Sequence, residues 1–207
     1  MADPFSSILS LTRAAVERYD MLPAGASVAV GVSGGKDSLV LLVALARLRE
    51  FFPTPFSLTA ITLDPVFEGR QTDYSPVASL CEELRVPYIV RRTRLWEVVF
   101  EERREANPCS LCARMRRGAL HAAAKEAGCS FVALGHHKND AAETFLMNLL
   151  AGGTLACFSP KSYLDRRDLT LIRPLIFAQE ADIARCAERA ALPVVKSRCP
   201  VDGCTNR

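Results

Sequence analysis

The chain has 207 residues, of which 49% are hydrophobic and 24% charged, and its formal net charge is +3. That length suits one full domain better than two, and a sizeable core can be filled. No apolar run reaches the roughly 18 residues that a membrane span needs, and no low-complexity stretch or internal repeat is present, so spanning, fibrous and solenoid classes are excluded.

Residues 1–21 read as an amphipathic helix. Asp3 is a plausible N-cap with Pro4 in the first turn, and Phe5, Ile8, Leu9, Leu11, Val16, Tyr19 and Leu22 follow a helical period. The same pattern argues against a secretory leader, so a cytoplasmic protein is expected. Residues 1–24 are set apart as an N-terminal helix, and residues 25–207 are expected to form one domain.

From Ser27 onward short β-branched runs alternate with helical patterns. Strands are predicted over 27–32, 57–63, 87–91, 130–134 and 169–173. Helices are predicted over 37–48, 75–85, 95–106, 111–127, 139–151 and 179–191. This alternation predicts an α/β fold: a doubly wound, mostly parallel sheet of about five strands with helices on both faces. Ligands of such folds bind outside the carboxyl ends of the strands.

Ser33-Gly34-Gly35-Lys36-Asp37-Ser38 falls at such an end, between the first strand and its helix. Adjacent glycines let backbone N–H groups converge on an anion, the helix start adds its positive end, and Lys36 can neutralise phosphate. The spacing is not that of a Walker A loop, and Asp37 stands where a magnesium-binding Ser or Thr would be. After the fourth strand comes Gly135-His136-His137-Lys138-Asn139-Asp140, whose histidine pair suits phosphate, substrate or metal.

Of the eight cysteines, Cys81, Cys129 and Cys186 lie in helical patterns among Ala and Leu and read as core. Cys157 is ambiguous. Cys109 and Cys112 form a C-x-x-C ahead of a predicted helix, and Cys199 and Cys204 fall in another loop-like segment. A redox pair, a structural zinc site and an iron–sulfur cluster all remain open for the C-x-x-C. Between Arg91 and Arg117, eight arginines face four glutamates. That basic stretch suits a polyanion such as RNA, or a solvated helix laced with ion pairs.

S-G-G-K-D-S resembles the signature of the PP-loop ATP pyrophosphatases. C-S-L-C, the arginines that follow it, G-H-H-x-x-D, the I-R-P-L of Ile172–Leu175 and a late cysteine resemble, in that order, the tRNA 2-thiocytidine synthetase family. The resemblance implies an ATP-dependent sulfurtransferase that adenylates a base carbonyl and replaces its oxygen with sulfur. It implies ATP contacts from Ser33, Gly34, Gly35, Lys36, Asp37, Ser38, Leu63, Asp64, Gly135 and His136, with Lys36, Asp37 and Asp140 catalytic. It further implies Mg²⁺ and a [4Fe-4S] cluster on Cys109, Cys112 and Cys199, with Cys204 as rival third ligand. Arg114, Arg116 and Arg117 would contact tRNA. A sulfur donor such as a cysteine desulfurase is an implied partner, a homodimer is compatible, and no membrane is involved. Asn139 departs from the family's pattern, where many relatives carry Asp. An amidating PP-loop ligase of the lysidine-synthetase kind, or thiolation of a small molecule, would use the same first step.

Overall fold

The structure, a computed structural model, describes residues 3–103 and 108–199. Its elements in order are α1 (Ser6–Arg18), β1 (Ala26–Gly31), α2 (Lys36–Arg49), β2 (Phe56–Asp64), α3 (Ser75–Glu83), β3 (Tyr88–Arg92), α4 (Pro108–Glu126), β4 (Phe131–Ala133), α5 (Lys138–Gly152), β5 (Lys161–Leu164), β6 (Leu169–Ile172) and α6 (Glu180–Arg189). Short helical turns cover Phe67–Gly69 and, in π form, Glu97–Glu102.

The sheet has six strands in the order β3-β2-β1-β4-β6-β5, parallel except for the β5–β6 hairpin. The expected parallel set is present, and β5 is an additional antiparallel edge strand. The chain winds outward from β1 to β3 and then returns to the far side of β1 with β4. β1 therefore flanks the point where the winding reverses, and the crevice at its carboxyl end is where such folds bind ligands.

Side-chain alternation in the strands feeds two layers. Val28 and Val30 of β1 join a large core with α1, α2 and α6, whereas Ala29, Ile61, Val132 and Leu171 pack on Ala123 and Ala124 of α4 on the other face. α2 is apolar nearly all round, and Leu39, Leu41, Leu42, Leu45 and Leu48 are completely buried. Cys81, Cys129 and Cys186 are buried as expected. Asp3 does not cap α1 directly: it accepts from Phe5 N at 3.2 Å and pairs with Arg47, and the helix begins at Ser6.

Two other boundaries differ from expectation. α4 begins at Pro108, because proline at a first helical position costs no hydrogen bond, so Cys109 and Cys112 occupy its opening turns and not a preceding loop. The helix expected over 95–106 is a π turn over Glu97–Glu102, with residues 104–106 outside the described residues. Among the described residues no helix is long and apolar enough to cross a membrane.

Candidate functional site

The glycine loop hangs from a pinned strand end. Val32 N donates to Ile61 O at 2.8 Å, and Thr62 Oγ1 donates to Val32 O at 2.7 Å. The Tyr88 hydroxyl donates to Thr62 Oγ1 at 2.8 Å, and burial pushes its pKa up to about 12, so it stays a donor. Beyond Val32 the loop braces itself. Ser38 Oγ donates to Gly35 O at 2.9 Å and accepts from Ser33 N at 3.1 Å, while Gly35 N donates to Ser33 Oγ at 3.3 Å. Gly34 is left-handed at φ +87°, and a Cβ there would lie 2.9 Å from the Cβ of Val195.

Val195 N donates back to Gly34 O at 3.0 Å, so the segment after α6 straps across the loop. Together they enclose a cavity of about 610 Å³. Ile61, Leu63 and Leu134 make an apolar wall, and Ser33 and Gly35 form a polar end. Arg116, Lys196 and Arg198 supply cations to its lining. An apolar slot, an amide-rich helix start and a basic rim are the three surfaces a purine nucleoside triphosphate needs.

Lys36 is not among the lining residues. Its ammonium pairs with Glu180 Oε1 of α6 at 3.0 Å and with Asp37 Oδ1 at 3.2 Å. Burial lowers its pKa, but the hydrogen bond to Glu180 and the Asp37 carboxylate more than offset this, and the net shift is upward. The bond from Lys36 holds the Glu180 carboxyl below its usual value.

Behind the loop, Asp37 faces α5. His137 caps that helix by accepting from Asp140 N, and Asp140 Oδ2 accepts from His137 N at 3.0 Å, which is a reciprocal capping box. His137 Nε2 stands 3.5 Å from Asp140 Oδ2 and 3.9 Å from Asp37 Oδ1. Asp140 thus reaches Asp37 through a buried histidine. Gly135 has a packing role: a Cβ would come within 3.2 Å of the Asp37 backbone. His136 rests on Phe158, and the Arg173 guanidinium lies over the same ring, 4.8 Å from its centroid. Asn139 Oδ1 accepts from Glu180 N at 3.0 Å and so tethers α6.

Leu63 lines the cavity, but the carboxylate of Asp64 turns into the chain, accepting from Val66 N at 3.1 Å and Thr72 N at 3.3 Å. Arg116 is a rim residue of the cavity, and its Nη2 lies 3.6 Å from Cys112 Sγ. Arg114 and Arg117 are exposed on the same helix. Cys112 is buried beside Leu111 and Val99, and Cys109 is half-buried.

Cys199 follows Arg198 of the strap, its N–H donating to Ser197 Oγ at 3.1 Å. Cys204 lies outside the described residues. Among the described residues, no three Cys, His, Asp or Glu side chains converge closely enough to hold a metal. The donors nonetheless fit an iron–sulfur centre in kind: two thiols one turn apart on α4, whose Arg116 lines the cavity, and a third that directly follows the lining residue Arg198. Thiol ligand sets are commonly drawn together by the metal itself. Sequence reasoning did not identify the strap or the cavity role of Arg116; the second was signalled by the four-residue spacing from Cys112, which puts both on one helical face.

Residues 10–197 match the PP-loop domain family. The tRNA-cytidine(32) 2-sulfurtransferase of Syntrophotalea carbinolica is 39% identical over 197 residues, covering 95% of this chain and 75% of the relative. That of Pelobacter propionicus is also 39% identical, over 93% of this chain and 71% of the relative. Among solved structures, the U34-tRNA thiolase NcsA from Methanococcus maripaludis with its [4Fe-4S] cluster is similar at a TM-score of 0.73 and 29% identity. That similarity covers 93% of this chain and 66% of the thiolase.

Proposed function

We propose that this chain, which belongs to the PP-loop domain family and within it to the tRNA-cytidine(32) 2-sulfurtransferases, adenylates a cytidine carbonyl of tRNA and exchanges the oxygen for sulfur. The observation that carries this reading is Arg116: one guanidinium stands on the nucleotide-sized cavity and within 3.6 Å of a C-x-x-C thiol. In this reading Arg116 links nucleotide activation to the thiol chemistry behind it.

In this reading adenine lies against Ile61, Leu63 and Leu134, and the phosphates of ATP, carrying Mg²⁺, meet the Ser33–Ser38 amides at the start of α2. Lys36 leaves Glu180 to neutralise the pyrophosphate, and His137, held by Asp140, orients Asp37 behind it. The base oxygen attacks the α-phosphorus and pyrophosphate departs; a sulfur nucleophile then adds to the activated carbon and AMP leaves with the oxygen. Charge neutralisation is the main demand of the first step. Cys109, Cys112 and Cys199, with Cys204 as rival in the third place, would hold a [4Fe-4S] cluster, which would supply Lewis-acidic iron to the sulfur chemistry. The target base must be unpaired or extruded to reach the cavity, while Arg114 and Arg117 hold the RNA backbone.

A sulfide source, such as a cysteine desulfurase, is the partner this chemistry requires. A second copy of the chain is proposed to cover α5. Phe145, Leu146, Met147, Leu149 and Leu150 are exposed there, and residues 144–160 carry no charge, so a twofold interface would oppose no like charges. Replacing Leu150 with Glu is expected to shift the mass measured by light scattering from dimer to monomer; an unchanged mass removes this interface.

The test of the activity is an oxygen-free incubation with unmodified tRNA, MgATP and sulfide. AMP, pyrophosphate and a thiocytidine in the digested RNA are expected, with about four iron and four acid-labile sulfide per chain. AMP formation that depends on ammonia or an amine, in metal-free protein, would favour the amidating alternative.

A further inference from the structure

A second cavity, of about 390 Å³, adjoins the first. Pro65 lines both. Between them Phe67, which lines the first, stands edge-on to Trp96, which lines the second, with ring centroids 5.7 Å apart at 74°. An aromatic pair thus separates the nucleotide cavity from its neighbour.

The second cavity is built as a stacking platform. Trp96 lies parallel on Phe100, with centroids 4.5 Å apart and planes at 21°, and its indole N–H donates to Glu101 Oε1 at 2.9 Å. These contacts fix the plane of a half-buried ring at the cavity wall. The acidic side chains on that wall are engaged: Glu101 holds the indole, and Glu97 binds Arg94 at 2.5 Å. Arg92 also lines the cavity and is exposed, and among the described residues its guanidinium has no hydrogen bond or ion pair. It is the cation of this wall that remains available to an incoming anion.

The floor is strained. Val66 lines the cavity at φ +51°, and Glu68 follows at the same φ. A β-branched residue rarely adopts this conformation, and such strain persists where the surroundings over-determine a site. Here the buried Asp64 carboxylate holds it, receiving Val66 N and Thr72 N.

We propose that this cavity receives one unpaired nucleotide of the substrate RNA, next to the one being modified, with its base on Trp96 and its phosphate at Arg92. The inference rests on the tRNA reading above and gives it a second contact point. A fixed indole and a free guanidinium are the pair that single-stranded RNA recognition uses.

Trp96 is the single tryptophan of the chain, so its fluorescence reports this cavity alone. The full protein is titrated with unmodified tRNA and with a seven-nucleotide single-stranded RNA. Quenching of Trp96 is expected to saturate together with binding, followed by anisotropy of labelled RNA. Trp96→Ala is expected to weaken RNA roughly fivefold or more. Trp96→Phe, which keeps an aromatic ring for Phe67 and Phe100, should recover part of that loss. Arg92→Ala should flatten the slope of log affinity against log salt by roughly 0.7, which a purely structural residue would not do. RNA that binds without altering Trp96 emission, with an unchanged slope in Arg92→Ala, overturns the proposal, as does equal quenching by ATP alone. If no RNA binds by anisotropy, the tRNA reading itself fails and this inference falls with it.

Discussion

In the structure Lys36 is held by Glu180, and phosphate must take it away. The pair measures 3.0 Å, with the lysine side chain 33% and the glutamate 47% exposed. Solvent screening limits such a pair to about 0.2–1 kcal/mol. Asp37 retains Lys36 when Glu180 is removed, so Glu180→Gln should release about that much competition against ATP. The apparent KM for ATP is expected to fall up to about fivefold at constant kcat, read by pyrophosphate release. Thermal unfolding should show the cost, a midpoint lower by up to about 4 °C. The pH dependence follows from the shifts. The Glu180 carboxyl is held below its ordinary 4.5, so its stabilisation is present above that value and is lost as pH falls through the lowered one. The Lys36 ammonium is raised above 10.5, so its share is lost only as pH rises beyond that. The stability difference between wild type and Glu180→Gln should therefore vanish in acid and be constant across neutral pH. In a Lys36→Met background, Glu180→Gln should have no effect on ATP at all. An ATP KM that rises or stays constant in Glu180→Gln, or an effect that survives without Lys36, would refute the competition.

Gly34→Ala combines a left-handed φ of +87° with a contact of 2.9 Å to Val195, so it should destabilise the fold by about 1–3 kcal/mol and raise the ATP KM at least severalfold, measured by denaturation and by ATP titration. Leu42→Ala, at a completely buried site in α2, should cost about 2–5 kcal/mol in urea unfolding while leaving the ATP KM of the folded fraction unchanged. Cys109→Ala should abolish iron binding and sulfur transfer while part of the ATP–pyrophosphate exchange persists; equal loss of both would show that the two half-reactions are not divided as proposed.

The parts of this molecule that were legible in the sequence are those in which one residue type repeats with a period. β1, β2 and β6 are β-branched runs bounded by turn residues, and α2 is an apolar run behind a glycine pair, so the sheet, its winding and the glycine loop could be placed from pattern alone. β5 could not. Lys161-Ser-Tyr-Leu164 is four residues long and only partly buried, and it is a strand because β6 pairs with it and the Tyr163 hydroxyl donates to Asp168 across the turn. The cavity walls were less legible for a related reason. The resemblance implied both Leu63 and Asp64 as ATP contacts; Leu63 does line the cavity, whereas the Asp64 carboxylate, one residue later, turns inward to hold Val66 and Thr72. The segment Val194–Arg198 has no period, yet it closes the site, because the end of α6 returns the chain to the carboxyl edge of the sheet and Gly34 O accepts from Val195 N. That bond connects the glycine loop to the strap that leads to Cys199. Under the proposed ligand set a nucleotide that moves the loop bears on Cys199 through three residues of backbone, so substitution at Gly34 should perturb iron retention as well as ATP affinity; iron retained in full by Gly34→Ala would point to Cys204 in the third place.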